Sequence, residues 1–364
     1  MKEVKGQSWK DSINVEMVGN IVVPIIAVIF AMIIGAIFMV SVGANPLEAY
    51  RVLFGSAFGS TRNIFETLVN ATPLIFTGLS VAFAFRCGLF NIGGEGQFLV
   101  AYVAAAWVGA FFNMSVWIHV PLALLAAIVA GGIWGGIPGF LKAKLGVHEV
   151  ISTIMFNYIG LYFVNLLIRT VLMDPNGYLP ATPKIAKTAR FLRFMRGSRL
   201  NLSIVVAALA ALVIYWILWK TTLGYEVRAV GLNPDAAEYG GISVAWNVVL
   251  AMAISGALAG MAGASQVMGL ELKAYQPFGF IGHGFTGIAV ALLGKNHPAG
   301  ILLGALLFGV LQRGANMMQS MAGVPKEVVS IIQAIIIFFV ASDYIVRKLY
   351  RKMKTEKAKK EVEE

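Results

Sequence analysis

The chain has 364 residues, 58% of them apolar and only 13% charged, with a formal net charge of +11 and a mean hydropathy of +0.77. That balance excludes a soluble domain with a polar surface. The basic excess does not argue for nucleic acid, because membrane proteins carry cytoplasmic lysines that set their topology.

In chain order, residues 1–19 are polar and hold Lys2, Lys5 and Lys10, with no small-residue cleavage site after the first apolar run. They read as a cytoplasmic segment before an uncleaved span. Apolar runs long enough to cross a bilayer, or nearly so, fall at about 20–42, 64–85, 97–112, 118–140, 151–172, 201–219, 246–268, 278–293, 298–316 and 327–342. The fold expected is all-α and polytopic, with about ten transmembrane helices over 20–342 and a cytoplasmic tail over 343–364. Eight basic residues between Arg347 and Lys360 place that tail inside. An even number of spans then puts the polar segment Lys220–Ile242 in the cytoplasm as well.

The same count puts 173–200 outside, although it carries Lys184, Lys187, Arg190, Arg193, Arg196 and Arg199, against the positive-inside rule. Two readings stay open. One is a surface helix whose basic stems lie among lipid headgroups. The other is a dock in which Arg190, Arg193, Arg196 and Arg199 pair with carboxylates of a substrate-binding protein.

The runs at 64–85, 97–112, 118–140 and 151–172 recur in order at 246–268, 278–293, 298–316 and 327–342, about 180 residues later. Matching runs are five spans apart, so the halves would cross the bilayer in opposite senses, an inverted-topology repeat. GLFNIGGEGQ at 88–97 and FGFIGHGFTG at 278–287 set glycines and polar groups at the mouths of two matching spans. Glycine lowers helix propensity, and unwound backbone is tolerated at membrane depth only inside protein or along a wet cavity. Each segment therefore reads as part of a broken helix or a re-entrant loop, with an ordinary loop after Arg86 as the plain alternative for the first. Glu95 would cost about 2.5–3.5 kcal/mol at the centre of a spanning helix, so at depth it should face water or a partner. Asn157 and Tyr158, inside an apolar run, read as inter-helix hydrogen-bonding groups. Arg169, Arg313 and Asp343, near span ends, read as interface anchors.

Lys220–Ile242 interrupts two apolar runs and punctuates a short helix: Asn233 as N-cap, Pro234 at the first helical position, Asp235 in the first turn, Gly240 and Gly241 at the stop. Its pattern, T-x-x-G-x-x-x-R-A-V-G-x-N-P-x-A-A-x-x-x-G-I from Thr221, resembles the coupling loop of ATP-binding-cassette (ABC) importer permeases of the monosaccharide, branched-chain amino acid and nucleoside group. FRCGLFNIGGEGQ at 85–97 and HEVISTIMFNYI at 148–159 look like nucleoside-type members of that group, and depart from the G-x-x-D-L-S-x-G variant of sugar permeases. The resemblance covers about residues 60–342. It implies a nucleoside permease of a prokaryotic cytoplasmic membrane, working with separate ABC ATPase subunits, a second permease subunit, the same or related, and an extracellular or periplasmic binding protein. It suggests that Asn91, Glu95, Gln97, His283 and Thr286 lie near the pathway. It also suggests that Gly231, Asn233, Pro234, Asp235, Glu238 and Tyr239 form the ATPase coupling surface. Phe90, Phe280 and Phe285 sit beside these polar groups and suit stacking on a nucleobase.

No catalytic constellation stands out, and the histidines and Cys87 give no metal spacing. LLGKN at 292–296 lacks the upstream glycine and the following Ser or Thr of a Walker A motif, so any ATP belongs to partner subunits and the chain itself needs no cofactor. The competing readings are a permease for a simple sugar such as ribose and, from another class, an ion-coupled secondary transporter, which would give no reason for the capped cytoplasmic helix.

Overall fold

The structure, a computed structural model, describes residues 9–195 and 197–341, with side chains from residue 25 to residue 340. The basic tail, Asp343 and Arg196 lie outside the described residues. Thirteen α-helices are described: α1 (Trp9–Ser41), α2 (Pro46–Phe58), α3 (Thr61–Arg86), α4 (Gly94–Phe111), α5 (Val116–Leu145), α6 (Glu149–Thr170), α7 (Ser203–Lys220), α8 (Thr222–Leu232), α9 (Pro234–Tyr239), α10 (Val244–Gln266), α11 (His283–Leu293), α12 (Pro298–Met321) and α13 (Glu327–Ala341). A π-helical turn, Val267–Glu271, extends α10.

Each of the ten apolar runs falls on a helix. Six helices, α3, α5, α6, α7, α12 and α10 with its extension, are long and apolar enough to cross a membrane. The apolar stretch Ile25–Ser41 of α1, α11 and part of α13 are shorter, and α4 opens on the polar pair Glu95 and Gln97. The run expected over 278–293 is helical only from His283, so residues 272–282 form unwound chain ahead of an eleven-residue helix. The helix α2 escaped the hydropathy pattern. Its start was nonetheless signalled, since Asn45 Oδ1 accepts the Leu47 N–H at 3.0 Å and Pro46 opens the helix.

The chain forms two compact units, residues up to Leu53 together with those from Gly314, and Phe54–Arg313. In the first, α1 runs along α13. Phe30 meets Phe339 edge-on at 5.0 Å, and a Cβ on Gly35 would come within 2.5 Å of Ile332.

In the second unit α3 is the central post, with 83% of its apolar window buried against 22% for α5. A helix sheathed by its own chain and a helix left exposed are thus distinguished although both carry a long apolar window. Against α10, α5 lays a row of glycines: a Cβ on Gly135 would lie 2.6 Å from the Met252 carbonyl oxygen, and one on Gly139 2.8 Å from Met252 Cβ, while Gly131 and Gly256 face each other's carbonyls. Small residues let the two backbones touch, the usual way to hold helices together where lipid removes the hydrophobic drive.

Residues 173–200 are not a surface helix. Prolines at 175, 180 and 183 and glycines at 177 and 197 break the chain, and among the described residues only the 3₁₀ turn Lys187–Ala189 is helical. The loop is packed, with Ile185, Ala189 and Phe191 buried, and its edges form single antiparallel bridges from Ala181 to Tyr275 and from Arg193 to Asn201.

Candidate functional site

The two broken segments meet, and Glu95 is where they do. In the first turn of α4 its carboxylate reaches the start of α11, where Oε1 accepts the Gly284 N–H at 2.7 Å, with the Phe285 N–H at 3.5 Å. The side chain is fully buried, and Oε2 has no hydrogen-bond partner among the described residues. Free amides and the positive end of the helix dipole are what a buried carboxylate needs in place of water. The approach requires glycine at 284, since a Cβ there would lie 2.5 Å from the Glu95 nitrogen, whereas one on Gly94 would make an ordinary contact 3.4 Å from Gly284 Cα.

Behind Glu95 lies a buried polar knot. Asn91 Oδ1 accepts the Gly93 N–H at 2.9 Å and Gln97 Nε2 at 3.1 Å, while Asn91 Nδ2 donates to Gln97 Oε1 at 3.0 Å and to Ser255 Oγ on α10 at 2.8 Å. Ser255 Oγ donates in turn to the Ser80 carbonyl on α3 at 2.7 Å. From α6, Asn157 Oδ1 accepts the Gly96 N–H at 2.7 Å, and its Nδ2 donates to the Ile92 carbonyl at 2.9 Å. Asn157 is thus the inter-helix group its position suggested. Unwound backbone at 88–93 keeps partners inside the protein, which is what allows it to exist there.

The remaining sequence candidates separate by exposure. Phe285 is 39% exposed, and Phe278, not itself a candidate, lies ahead of it in the same segment and is 98% exposed. Phe280 meets Phe285 edge-on at 5.7 Å and Tyr158 of α6 at 5.1 Å. Tyr158, 45% exposed, therefore belongs to an outward aromatic group rather than to the knot. His283 packs against Phe98 with centroids 5.6 Å apart, Phe90 stacks on Phe85 at 5.1 Å, and Thr286 is half-buried. Asn91, Glu95 and Gln97 hold the backbone from within, and the surface they support is aromatic.

After α7, the partly buried α8 leads into α9, whose residues are exposed apart from Ala237. Asn233 Oδ1 accepts the Ala236 N–H at 3.0 Å, Pro234 opens α9, and Gly240 caps it. Gly241, at φ +83°, turns the chain toward α10. Asn233, Pro234, Asp235 and Glu238 are exposed, Tyr239 is 97% exposed, and Ala237 is the buried residue of α9. Gly231 faces inward instead, where any Cβ would overlap the Arg86 carbonyl oxygen. Asn247 Nδ2 donates to Glu226 Oε2 at 3.0 Å and ties α8 to α10.

The arginines of the 173–200 loop do not form one free cluster. Arg190 folds back, its Nη2 donating to the Ile185 carbonyl at 2.9 Å. Arg199 is committed to buried Glu66, with Nη2 and Nε at 2.6 and 2.9 Å from Oε2 and its backbone N–H 3.1 Å from Oε1. Arg193 is exposed. Arg62, Asn63, Glu66, Gly197, Arg199 and Arg313 line a cavity of about 370 Å³. Sequence reasoning missed Glu66, Ser80, Arg86 and Ser255, which become visible only through partners far along the chain.

A chain that is mainly helical over its described residues, buries polar groups around two meeting chain breaks, exposes many large apolar side chains and carries a capped, exposed short helix is the membrane-embedded subunit of a transporter, a permease. It belongs to the branched-chain amino acid transport system / permease component family, which matches residues 63–341. It is 47% identical to the guanosine ABC transporter permease protein NupP of Bacillus subtilis, over 94% of this chain and 99% of that protein. It is 42% identical to the nucleoside ABC transporter permease protein NupB of Lactococcus lactis, over 93% and 95%. The glucose ABC transporter permease protein TsgB13 of Haloferax volcanii is 33% identical, over 89% and 88%. Bacillus subtilis also has a guanosine ABC transporter permease protein NupQ, 30% identical over 68% of this chain and 79% of its own length.

Proposed function

We propose that this chain is a permease subunit of an ATP-driven nucleoside importer in the cytoplasmic membrane of a prokaryote. The observation that carries the reading is its nearly end-to-end likeness to permeases named for guanosine and nucleosides, closer than its likeness to the glucose permease. ATP would be bound by separate ABC ATPase subunits seated on the exposed face of α9, through Asn233, Asp235, Glu238 and Tyr239. A second, related permease would complete the pathway, a pairing favoured by the occurrence of both NupP and NupQ in one organism. The aromatic group of Tyr158, Phe280 and Phe285 supplies faces and edges for a nucleobase, with Asn91, Glu95 and Gln97 fixing the backbone behind it. A substrate-binding protein would deliver the solute against the 173–200 loop, where Arg193 and the cavity between Arg62 and Arg313 offer cations for its carboxylates.

The test is uptake of radiolabelled guanosine, uridine, glucose and ribose by cells with and without the chain, each repeated with an ATPase-dead partner. Nucleoside uptake lost in both backgrounds supports the proposal. Uptake of sugar alone overturns the substrate, and uptake indifferent to the ATPase overturns the mechanism.

A further inference from the structure

The helix α11 is held at both ends by opposite charges that come from one short stretch of chain. Glu95 accepts the Gly284 N–H at its start. At its finish the Arg86 guanidinium donates from Nε to the Asn296 carbonyl at 3.1 Å and from Nη2 to the Lys295 carbonyl at 3.5 Å. Anion at the N-terminus and cation at the C-terminus is the arrangement the helix dipole favours. The turn that Arg86 grips is strained: Lys295 and Asn296 sit at φ 51° and 53°, two successive residues with side chains in the left-handed region. Such a turn persists while its surroundings hold it, and Arg86 is the side chain bonded to both carbonyls.

Arg86 also touches the end of α8. Its carbonyl oxygen lies where a Cβ on Gly231 would be, and Gly88, two residues on, packs with its Cβ position 3.2 Å from Gly231 Cα. Its guanidinium lies 5.1 Å over the ring of Trp219, at the end of α7 just before α8. The end of α8 therefore cannot shift against α3 without moving Arg86.

We propose that Arg86 is the positioning residue through which displacement of α8 and α9 reaches α11, and that α11 swings about Lys295–Asn296 as the moving gate. An eleven-residue helix is about 16 Å long, so a swing of roughly 15° carries its start by roughly 4 Å. That breaks the Glu95 bond and moves Phe285 with it. The inference rests on reading α9 as the ATPase dock.

The test uses the complete transporter in liposomes, measuring ATP hydrolysed and guanosine taken up, together with maleimide labelling of an Ile281→Cys permease. Ile281 is exposed just before α11, and the native Cys87 is buried. In Arg86→Gln, hydrolysis should continue while uptake falls about tenfold, and ATP-dependent change in labelling at 281 should vanish. Arg86→Lys, which keeps the charge, should recover part of both. Should the Gln variant fail to assemble, the Lys variant decides alone, by whether labelling at 281 responds less to ATP. An unchanged ratio of ATP to solute with an unchanged labelling response overturns the inference. Replacing Asp235, Glu238 and Tyr239 together by alanine separates the two readings. If that variant uncouples and the Arg86 variants do not, α9 remains the dock and Arg86 is only structural; if it transports normally, the dock itself is wrong.

Discussion

Replacing Asn91 by alanine tests whether the knot behind α4 is structure or solute contact. The change removes four hydrogen bonds, to Gly93, twice to Gln97, and to Ser255, all among buried groups. At the ~0.6 kcal/mol average measured for polar pairs within membranes, four bonds give a floor of ~2 kcal/mol. Counted instead as two orphaned groups, the Gln97 amide and the Gly93 N–H, at ~1–3 kcal/mol each, the loss is ~2–6 kcal/mol. A loss of about 4 kcal/mol against an unfolding entropy of ~2.1 cal/mol/K per residue lowers the melting temperature by about 5 °C for a chain of this length. The assay is a thermal melt of the detergent-purified complex followed by size-exclusion recovery. Adding Gln97→Ala should cost less than ~1 kcal/mol more, because the orphaned amide goes with it. The half-saturating solute concentration of the surviving transporter should stay within twofold of wild type. A melting shift below ~1 °C, or strictly additive losses, would refute the coupled knot; a tenfold rise in half-saturation would put Asn91 on the solute instead.

Phe285→Ala, at an exposed ring, should leave the melt unchanged and raise half-saturation for guanosine by up to about tenfold, the value of one lost stacking contact of ~1.4 kcal/mol; an equal effect on a sugar would remove nucleobase stacking as the cause. Glu66→Gln should destabilise by only ~1–2 kcal/mol, read by the same melt, because water can re-pair the half-exposed Arg199 that it releases. His297, in the turn between α11 and α12, is held below its ordinary value of 6.5 by burial and by the Arg86 guanidinium. The unfolded chain therefore takes up the proton first, and the stability this group confers is complete above about pH 6.5 and lost as pH falls toward its folded value. Acidification from pH 7 to about pH 5 should lower the melting temperature less in His297→Gln than in wild type; parallel curves would remove His297 as the sensor.

Much of the fold could be read directly, because long apolar runs have few alternatives to helix in a bilayer, and because the α9 cap is written in adjacent letters, Asn233-Pro234-Asp235 and Gly240-Gly241. Gly88 and Gly93 correctly signalled chain that does not continue as helix, whereas Gly94 and Gly96 lie in the first turn of α4. The partners were not legible. Asn91 finds Ser255 164 residues away, and Glu95 finds Gly284 189 residues away, and no period or spacing links them. The basic loop misled for a related reason: charge tallies treat Arg190 and Arg199 as surface, whereas each is turned to an acceptor in its own fold. The prolines that forbade a helix there were visible and outweighed the surface-helix reading.

The glycine contact between α5 and α10 has a mechanical meaning. Helices that meet through side chains can slip, because rotamers absorb small offsets; two backbones in contact have nothing to yield. The pair should behave as one beam. With its extension, α10 has 28 residues, roughly 40 Å from end to end. A push entering beside Asn247, where α8 is tied, should then carry along α10 toward Glu271, whose carboxylate takes the Tyr102 hydroxyl and the Gln266 amide. A covalent cross-link between the two helices should therefore leave transport intact, and stalled transport would show that they slide.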